Sequence, residues 1–322
     1  MNKIYDVAII GGGPAGLSAG LYASRAKMSA VIIEKGKWGG QTGTTEELEN
    51  YPGSMENPTG PKVTERMKAQ AEEFGTECLK DEVIGFDFSD KIKIVKLSKG
   101  EIKAKTVIYA TGAKPMLLGA PGEMELRGKG VSYCATCDGD FFTDLEIVAI
   151  GGGDAAVEES IYLTKFAEKV TIIHRRHEFR AAKSIVEKAM QNDKIHVIWD
   201  TVVEEIYGDG IVEGVKLKNI VSGVQTDYKT DGVFVFVGTT PITVVAKGHI
   251  ELDAKGYVIA DEEMRTSVEG VFAAGDVRVK SLRQVITACA DGAIAAVNAE
   301  KYIEKNFEHI KLPDAKKEGG WV

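Results

Sequence analysis

Residues 4–26, "IYDVAIIGGGPAGLSAGLYASRA", decide how the chain is to be read. Val7 to Ile10 form a continuous apolar run, the pattern of a strand buried on both faces. The run breaks at Gly11, Gly13 and Gly16 and passes, through Pro14 and Ala15, into an alanine-rich helical stretch. Bare backbone at that turn lets a pyrophosphate lie against amide N–H groups at a helix N-terminus, where the helix dipole favours an anion. A second apolar segment, "AVIIE", ends at Glu34, 18 residues after Gly16, and Lys35 follows it. A carboxylate there accepts hydrogen bonds from an adenosine ribose and repels a 2′-phosphate, which suits FAD or NAD and disfavours NADPH.

The pattern recurs at residues 145–163, "LEIVAIGGGDAAVEESIYL". Gly151, Gly153 and Ala156 stand between an apolar strand and a helical segment, with Asp154 and Ala155 at the turn. The next strand, "KVTII", runs into "HRRHEFR", residues 174–180. Arg175, Arg176 and Arg180 cluster where the first copy has its acid, and guanidinium groups pair well with a phosphate. This copy therefore suits NADPH. One glycine-rich turn is a weak signal, because such turns are common. Two copies, each in a strand–turn–helix–strand setting and each followed by a residue of matching charge, are much more specific. The plainer reading of the arginines is a solvated basic helix start.

At 322 residues the chain is long enough for two domains with separate cores. Its 44 % apolar and 27 % charged residues are those of a soluble globular protein. A formal charge of −8 argues against nucleic acid as a partner, since phosphate binding needs a basic face. No uninterrupted apolar run approaches the roughly 18 residues of a membrane span. "MNKIYDVAII" runs straight into the first strand, leaving no room for a signal peptide, and the expected location is the cytoplasm.

Between the fingerprints, "KTVIYATGAKPMLLGAPGEME" reads as a strand followed by a Pro/Gly-rich crossover, and "GVFVFVGTTPITVV" as its counterpart on the way back. "VEGVFAAGDV" is a further strand ending at Gly275 and Asp276. The simplest arrangement is α/β: two Rossmann-like, doubly wound dinucleotide-binding domains. A nicotinamide domain, residues 115–242, is inserted into a discontinuous flavin domain made of residues 1–114 and 243–322. The duplication is of whole domains, with no shorter repeat. The tail "LPDAKKEGGWV" is expected to fray, although Trp321 gives it one anchor that could dock.

"VSYCATCDGDFF", residues 131–142, lies just ahead of the second fingerprint. Four cysteines are too few for a secreted disulfide scaffold, and in a reducing compartment a close pair is more often catalytic or metal-binding than structural. The spacing of Cys134 and Cys137 lets two sulfurs reach disulfide distance at a helix start, where the helix N-terminus also favours a thiolate. Zinc is the competitor. It would want two more ligands at matching spacing, whereas Cys78 and Cys289 are isolated and no histidine is near the pair, so no metal site is expected. A dithiol beside flavin and NADPH sites completes an electron path from nicotinamide to flavin to disulfide to an outside thiol partner. Asp138 is a suitable general acid for that chemistry, or simply a turn or cap residue.

Taken together, "CATCDG", "GGGPAG", "GGGDAAVEE", "HRRHEFR" and "GVFAAGDV" resemble the low-molecular-weight, prokaryotic-type thioredoxin reductases, flavoproteins of the pyridine nucleotide-disulfide oxidoreductase family, over essentially the whole chain but its tail. The resemblance implies that Cys134 and Cys137 form the redox-active disulfide, that Cys137 lies nearer the flavin and Cys134 attacks thioredoxin, and that Asp138 donates the proton. It implies FAD contacts at Gly11, Gly13, Gly16 and Glu34, at "GGQ" (Gly39, Gly40, Gln41) and at Asn50 in "ENYPG". Thr111, Gly112, Gly275, Asp276, Arg283, Gln284 and Val285 complete the flavin set. NADPH would be held by Gly153, Asp154, Ala155, Ala156, His174, Arg175, Arg176 and Arg180. Members of that family are homodimers whose nicotinamide domain rotates between two orientations, and the two glycine- and proline-containing crossovers are the natural hinges.

One departure stands out: where the family often has Pro-Asn-Thr after the "VFVFVG" strand, this chain has Pro241, Ile242 and Thr243. The alternatives are a ferredoxin-linked or peroxidase-system reductase of the same fold, or a flavin or nucleotide redox sensor whose cysteines merely pack. His177, His196, His249 and His309 read as surface or satisfied histidines, Cys289 as a packing residue, and Cys78 is assigned nothing.

Overall fold

A computed structural model describes residues 3–45, 48 and 50–307; the tail with His309 and Trp321 lies outside the described residues. The described chain divides into two units. The first runs to Thr44, then takes Gly60–Gly112 and everything from Pro241 onward; the second takes Thr45–Thr59 and Ala113–Thr240.

In chain order the first unit holds β1 (Ile4–Ile10), α1 (Pro14–Arg25), β2 (Ala30–Glu34), α2 (Gly60–Glu73), β3 (Glu77–Lys80), β4 (Val83–Asp87), β5 (Lys93–Leu97) and β6 (Gly100–Tyr109). The second holds β7 (Ala113–Pro115), β8 (Val131–Ser132), α3 (Ala135–Asp138), β9 (Glu146–Ile150), α4 (Asp154–Leu163), β10 (Lys169–Ile173) and α5 (Lys183–Met190). It continues with β11 (Ile195–Ile198), β12 (Thr201–Tyr207), β13 (Gly214–Asn219), β14 (Gln225–Lys229) and β15 (Gly232–Val235). β16 (Thr239–Pro241) leads back to the first unit, which ends with β17 (Val271–Ala273) and α6 (Val285–Asn306).

The first sheet has the order β3-β2-β1-β6-β5-β4. β1 runs parallel to both neighbours, with Val7 opposite Ala30 on one side and Thr106 on the other. β6 is long enough to serve two partners on its far edge: β5 pairs antiparallel along Gly100–Ala104, and β17 pairs parallel along Val107–Tyr109. A strand of this kind must be apolar on both faces, and Val7, Ala8 and Ile9 are fully enclosed. Helices α1 and α6 cover Val7, Ile9, Ala30, Ile32, Ile108 and Phe272 with small residues such as Ala19, Ala295 and Ala299, which let the layers approach closely. The other face, Ala8, Ile10, Val31, Ile33 and Val107, packs on residues of β4 and β5 and on Ala246, Ile250 and Val258. Pro14 opens α1, where its missing N–H would have been unpaired in any case.

The second unit repeats the plan. Its parallel sheet has the order β11-β10-β9-β15-β8. Ile147, Ala149, Ile172 and Phe234 face Ala135 of α3 and Leu163 of α4. Val148, Ile150, Ile173 and Val233 face Val203, Ile206, Val215 and Leu217 of the antiparallel sheet β12-β13-β14. Both units are thus Rossmann-like, and both predicted fingerprints fall on a strand–turn–helix. The two crossover segments pair with each other, β7 with β16, as a two-stranded sheet. Here Ile242 stands at the departure from the family pattern: its N–H donates to Gly112 O (2.9 Å), and its carbonyl accepts from Tyr109 Oη (3.0 Å) and Thr111 Oγ1 (2.7 Å). No helix among the described residues is long and apolar enough to cross a membrane.

Candidate active site

β8 is the edge strand of the second parallel sheet, and Tyr133 leads from it into Cys134, the extended N-cap of α3. α3 is a single turn in which the amides of Cys137 and Asp138 both donate to Cys134 O, at 3.3 and 3.2 Å. That turn brings the sulfurs together, and Cys134 and Cys137 are joined in a disulfide with Cα atoms 5.3 Å apart. Ser132, buried beneath them, accepts a hydrogen bond from the Cys134 amide (3.1 Å) and donates one to Asp138 Oδ2 (2.5 Å). Burial pushes the Asp138 carboxyl above the usual carboxylate range and Asp140 pushes it further; the Ser132 bond and Arg127 pull it back. A carboxyl held this way keeps its proton to higher pH and can deliver it to a sulfur.

The approach to the disulfide is braced. Glu123, 1 % exposed, accepts from the amides of Leu118 (2.8 Å) and Gly119 (2.7 Å) and from Tyr133 Oη (2.8 Å). A buried carboxylate is tolerated only when satisfied in this way, and removing one partner costs about 1–3 kcal/mol. On the other side Asn50 Nδ2 donates to Thr136 O (3.2 Å), between the two cysteines. Asn50 thus belongs to the second unit, as the disulfide does.

In the first unit, Gly11, Gly13, Pro14, Ala15 and Gly16 form the β1–α1 turn. A Cβ on Gly16 would stand 1.9 Å from Gly11 O, so only glycine fits there. Glu34 closes the turn: Oε2 accepts from Gly12 N–H (2.7 Å) and Oε1 from Gly36 N–H (2.5 Å). Gly39 N–H donates to Gly12 O (2.8 Å), and a Cβ on Gly40 would come within 3.3 Å of Gly13 Cα, so this loop lies on the turn. Gln41 leads into the 3-10 turn Thr42–Thr44, while Lys35 is exposed and paired with Glu82 (3.3 Å). Thr111 and Gly112 are held to Ile242 at the end of β6.

Gly275 packs against α1, its missing Cβ leaving 2.8 Å to that of Ala15. Next to it, Asp276 Oδ1 is buried without a hydrogen-bond partner, and burial holds that carboxyl above the usual range. Arg283 lies over the Tyr257 ring (4.3 Å) and donates to Asp276 O (3.3 Å); Gln284 caps α6 through a capping box with Thr287, and Val285 begins that helix. An anion-ready helix start and a carboxyl oxygen awaiting a donor, both on α1's end of the sheet, fit a flavin dinucleotide with its pyrophosphate and hydroxylated chain.

The second fingerprint is arranged differently. Gly151, Gly153, Asp154, Ala155 and Ala156 form the β9–α4 turn, and Asp154 accepts from Ala182 N–H (2.7 Å). His174, 4 % exposed, sits over Gly152, packed against Phe179 and Trp199, with Nε2 buried and unpartnered. Burial, together with Arg180 and Arg176, holds His174 below its ordinary value, so it is neutral at pH 7. Arg175, Arg176 and Arg180 are exposed, and among the described residues none has a carboxylate within ion-pair distance. The Arg180 amide donates to Gly152 O (2.7 Å), which ties the arginine loop to the turn. An unspent imidazole nitrogen and three open cations fit a phosphorylated nicotinamide dinucleotide.

Sequence reasoning missed Ser132, Glu123 and one further cluster. Asp291 of α6, buried, accepts on Oδ2 from Gly275 N–H (3.0 Å), Arg278 Nε (3.0 Å) and Lys280 Nζ (2.8 Å). It fixes the Gly275–Asp276 turn from below; removing one partner of such a buried set costs about 3–5 kcal/mol. A lone Ser upstream of a CxxC pair, and charges 11 and 13 residues apart, gave no local signal. Cys289 is partly buried on α6, its carbonyl accepting from Ser18 Oγ (2.8 Å), and Cys78 is a partly buried thiol that burial pushes up to about 11. His177, His196 and His249 are exposed, the last edge-on to Phe86 and Phe88. No group of three or more His, Cys, Asp or Glu among the described residues is placed to hold a metal.

Residues 5–292 match the family model of the pyridine nucleotide-disulphide oxidoreductases. A thioredoxin reductase of Peptoclostridium acidaminophilum is 60 % identical over 96 % of this chain and 100 % of its own length. One from Bacillus subtilis is 46 % identical over 96 % of this chain and 98 % of its own. Among solved structures, the thioredoxin reductase of Streptococcus pyogenes matches with a TM-score of 0.90 and 47 % identity, covering 95 % of this chain and 100 % of that one.

Proposed function

The chain belongs to the pyridine nucleotide-disulphide oxidoreductases and, among them, to the thioredoxin reductases; from that premise we propose that it reduces oxidised thioredoxin at Cys134–Cys137, with NADPH as electron source and FAD as relay. The observation that carries the reading is the disulfide itself, closed across one helical turn with Asp138 tied beneath it by Ser132. Cys134, at the N-cap, is the sulfur that attacks the partner's disulfide, and Cys137 is the one that faces the flavin. Asp138 supplies the proton that the departing sulfur needs and recovers it in the next cycle.

Residues 1–114 and 243–322 act as the flavin domain, with Glu34 on the adenosine ribose and Asp276 as acceptor for the cofactor's hydroxylated chain. Residues 115–242 act as the nicotinamide domain, with Arg175, Arg176 and Arg180 on the 2′-phosphate and His174 Nε2 as a further partner. The dithiol and the nicotinamide turn both belong to this second domain yet serve one flavin, so they take turns by rotation about the paired crossovers β7 and β16. The working form is a cytoplasmic homodimer.

Anaerobic titration of the purified yellow protein tests the reading. NADPH should bleach it at far lower concentration than NADH, and oxidised thioredoxin should then take two electrons and restore the colour. A colourless protein that cannot be reconstituted with flavin, or one that NADPH leaves yellow, refutes it. A cross-link that locks the two domains to each other should preserve either flavin reduction or disulfide turnover but not the full cycle.

A further inference from the structure

Glu159 lies on α4, the helix of the second glycine-rich turn, and α4 packs directly against α3. Its carboxyl accepts the Ala135 amide, the first N–H of the CxxC turn and the residue next to Cys134. The second oxygen, Oε2, is enclosed with no hydrogen-bond partner. None of the roles above uses it. An unsatisfied buried carboxyl oxygen costs about 1–3 kcal/mol or more, and such a cost at the back of a reactive pair asks for a reason.

We propose that Glu159 is a positioning residue for the dithiol: it anchors the start of α3 and, when ionised, disfavours negative charge on the reduced sulfurs. The reduced pair then keeps its protons, and a thiolate forms to attack an incoming disulfide only as a neighbouring base takes up the proton that the departing thiolate afterwards needs. Burial and the neighbouring Glu158 push the Glu159 carboxyl up, and the Ala135 amide pulls it down. On the α3 side the charges are Asp138 and Asp140 with Arg127 opposing them. Packed on α4 from the other side, β9, β10 and α5 bring Glu146, Lys169, Lys183, Glu187 and Lys188, none of which acts on Glu159.

The inference deepens the reading of Cys134–Cys137 as a redox pair, and its test uses neither NADPH nor thioredoxin, so the two can fail separately. The holoenzyme is reduced with dithiothreitol, freed of reductant and alkylated with iodoacetamide from pH 5 to 9, with peptide masses assigning the label to Cys134 or Cys137 rather than Cys78 or Cys289. Glu159→Gln keeps an acceptor for the Ala135 amide and loses the charge. It should alkylate about tenfold faster near neutral pH, a shift of one unit in thiol acidity. Glu159→Asp should remain closer to the wild type. Profiles for Glu159→Gln that superimpose on the wild type overturn the proposal. If the Gln variant does not fold, Glu159→Asp, which keeps the charge, decides: alkylation about tenfold faster than the wild type near neutral pH overturns the proposal equally.

Discussion

The two glycine-rich turns share a backbone and differ in what closes them. In each, the middle glycine lies under an aromatic ring that occupies the place of a side chain: a Cβ on Gly12 would be 2.5 Å from Trp38, and one on Gly152 would be 2.2 Å from His174. In the first turn the ring stands beside Glu34, which ties Gly12 and Gly36 with both carboxylate oxygens. In the second the ring keeps a buried nitrogen unspent, and three guanidinium groups stand open beyond it. On the proposed function, the glycines would supply a place for a pyrophosphate, and the residues around the end of the second strand would choose which dinucleotide occupies it.

If that division holds, the sulfur chemistry belongs to the second unit alone. Replacing Cys134 and Cys137 by Ser should lower thioredoxin reduction by on the order of 10³-fold or more, while the purified protein stays as yellow as the wild type. Loss of colour would break the comparison. A smaller effect is expected at the open cations: Arg175→Gln with Arg176→Gln should raise the KM for NADPH by about 10- to 100-fold and leave the KM for NADH nearly unchanged. An equal loss with both nucleotides would show that the arginines hold the loop and do not read the phosphate.

The rings can be tested by stability. Gly12→Ala and Gly152→Ala should each cost about 1–3 kcal/mol through overpacking, whereas Gly153→Ala, with open space around it, should fall within about 0.5 kcal/mol of the wild type in thermal unfolding. The smallest effect concerns pH. His174 is held below its ordinary value when folded, so on acidification the unfolded chain takes up the proton first. The stability it contributes at neutral pH is therefore lost as pH falls through the ordinary histidine range, and His174→Phe should flatten that part of the Tm–pH curve by about 2 °C. Parallel curves would mean the imidazole ionises freely in the native state.

Much of this architecture is written in short range. The apolar runs of β1 and β9, the glycine spacings and the acid or arginines that follow are each read within some twenty residues, because a strand, its turn and the next strand are local objects. The CxxC pair is local too, for one helical turn closes it. What escaped is what no motif or periodicity announces, whether near or far along the chain. Ser132 looked like an ordinary strand residue until α3 folded Asp138 back over it. Asp291 meets Gly275 and Lys280 only because α6 returns across the end of β17, and Asn50 meets Thr136 across 86 residues of chain. Trp38 over Gly12 is a chance of loop path that no periodicity announces.

The pairing of β7 with β16 has a consequence for how such a chain could have arisen. The host departs and re-enters at neighbouring points, so from its standpoint a whole folded module is no longer than a tight connection, and the entropy of closing that gap is small. A gene segment spliced in at this seam would leave the recipient's core untouched. The same seam is where one module would be exchanged for another, and a chimera joined at residues 113 and 240 should fold as readily as its parents when Thr45–Thr59 is exchanged with its own module.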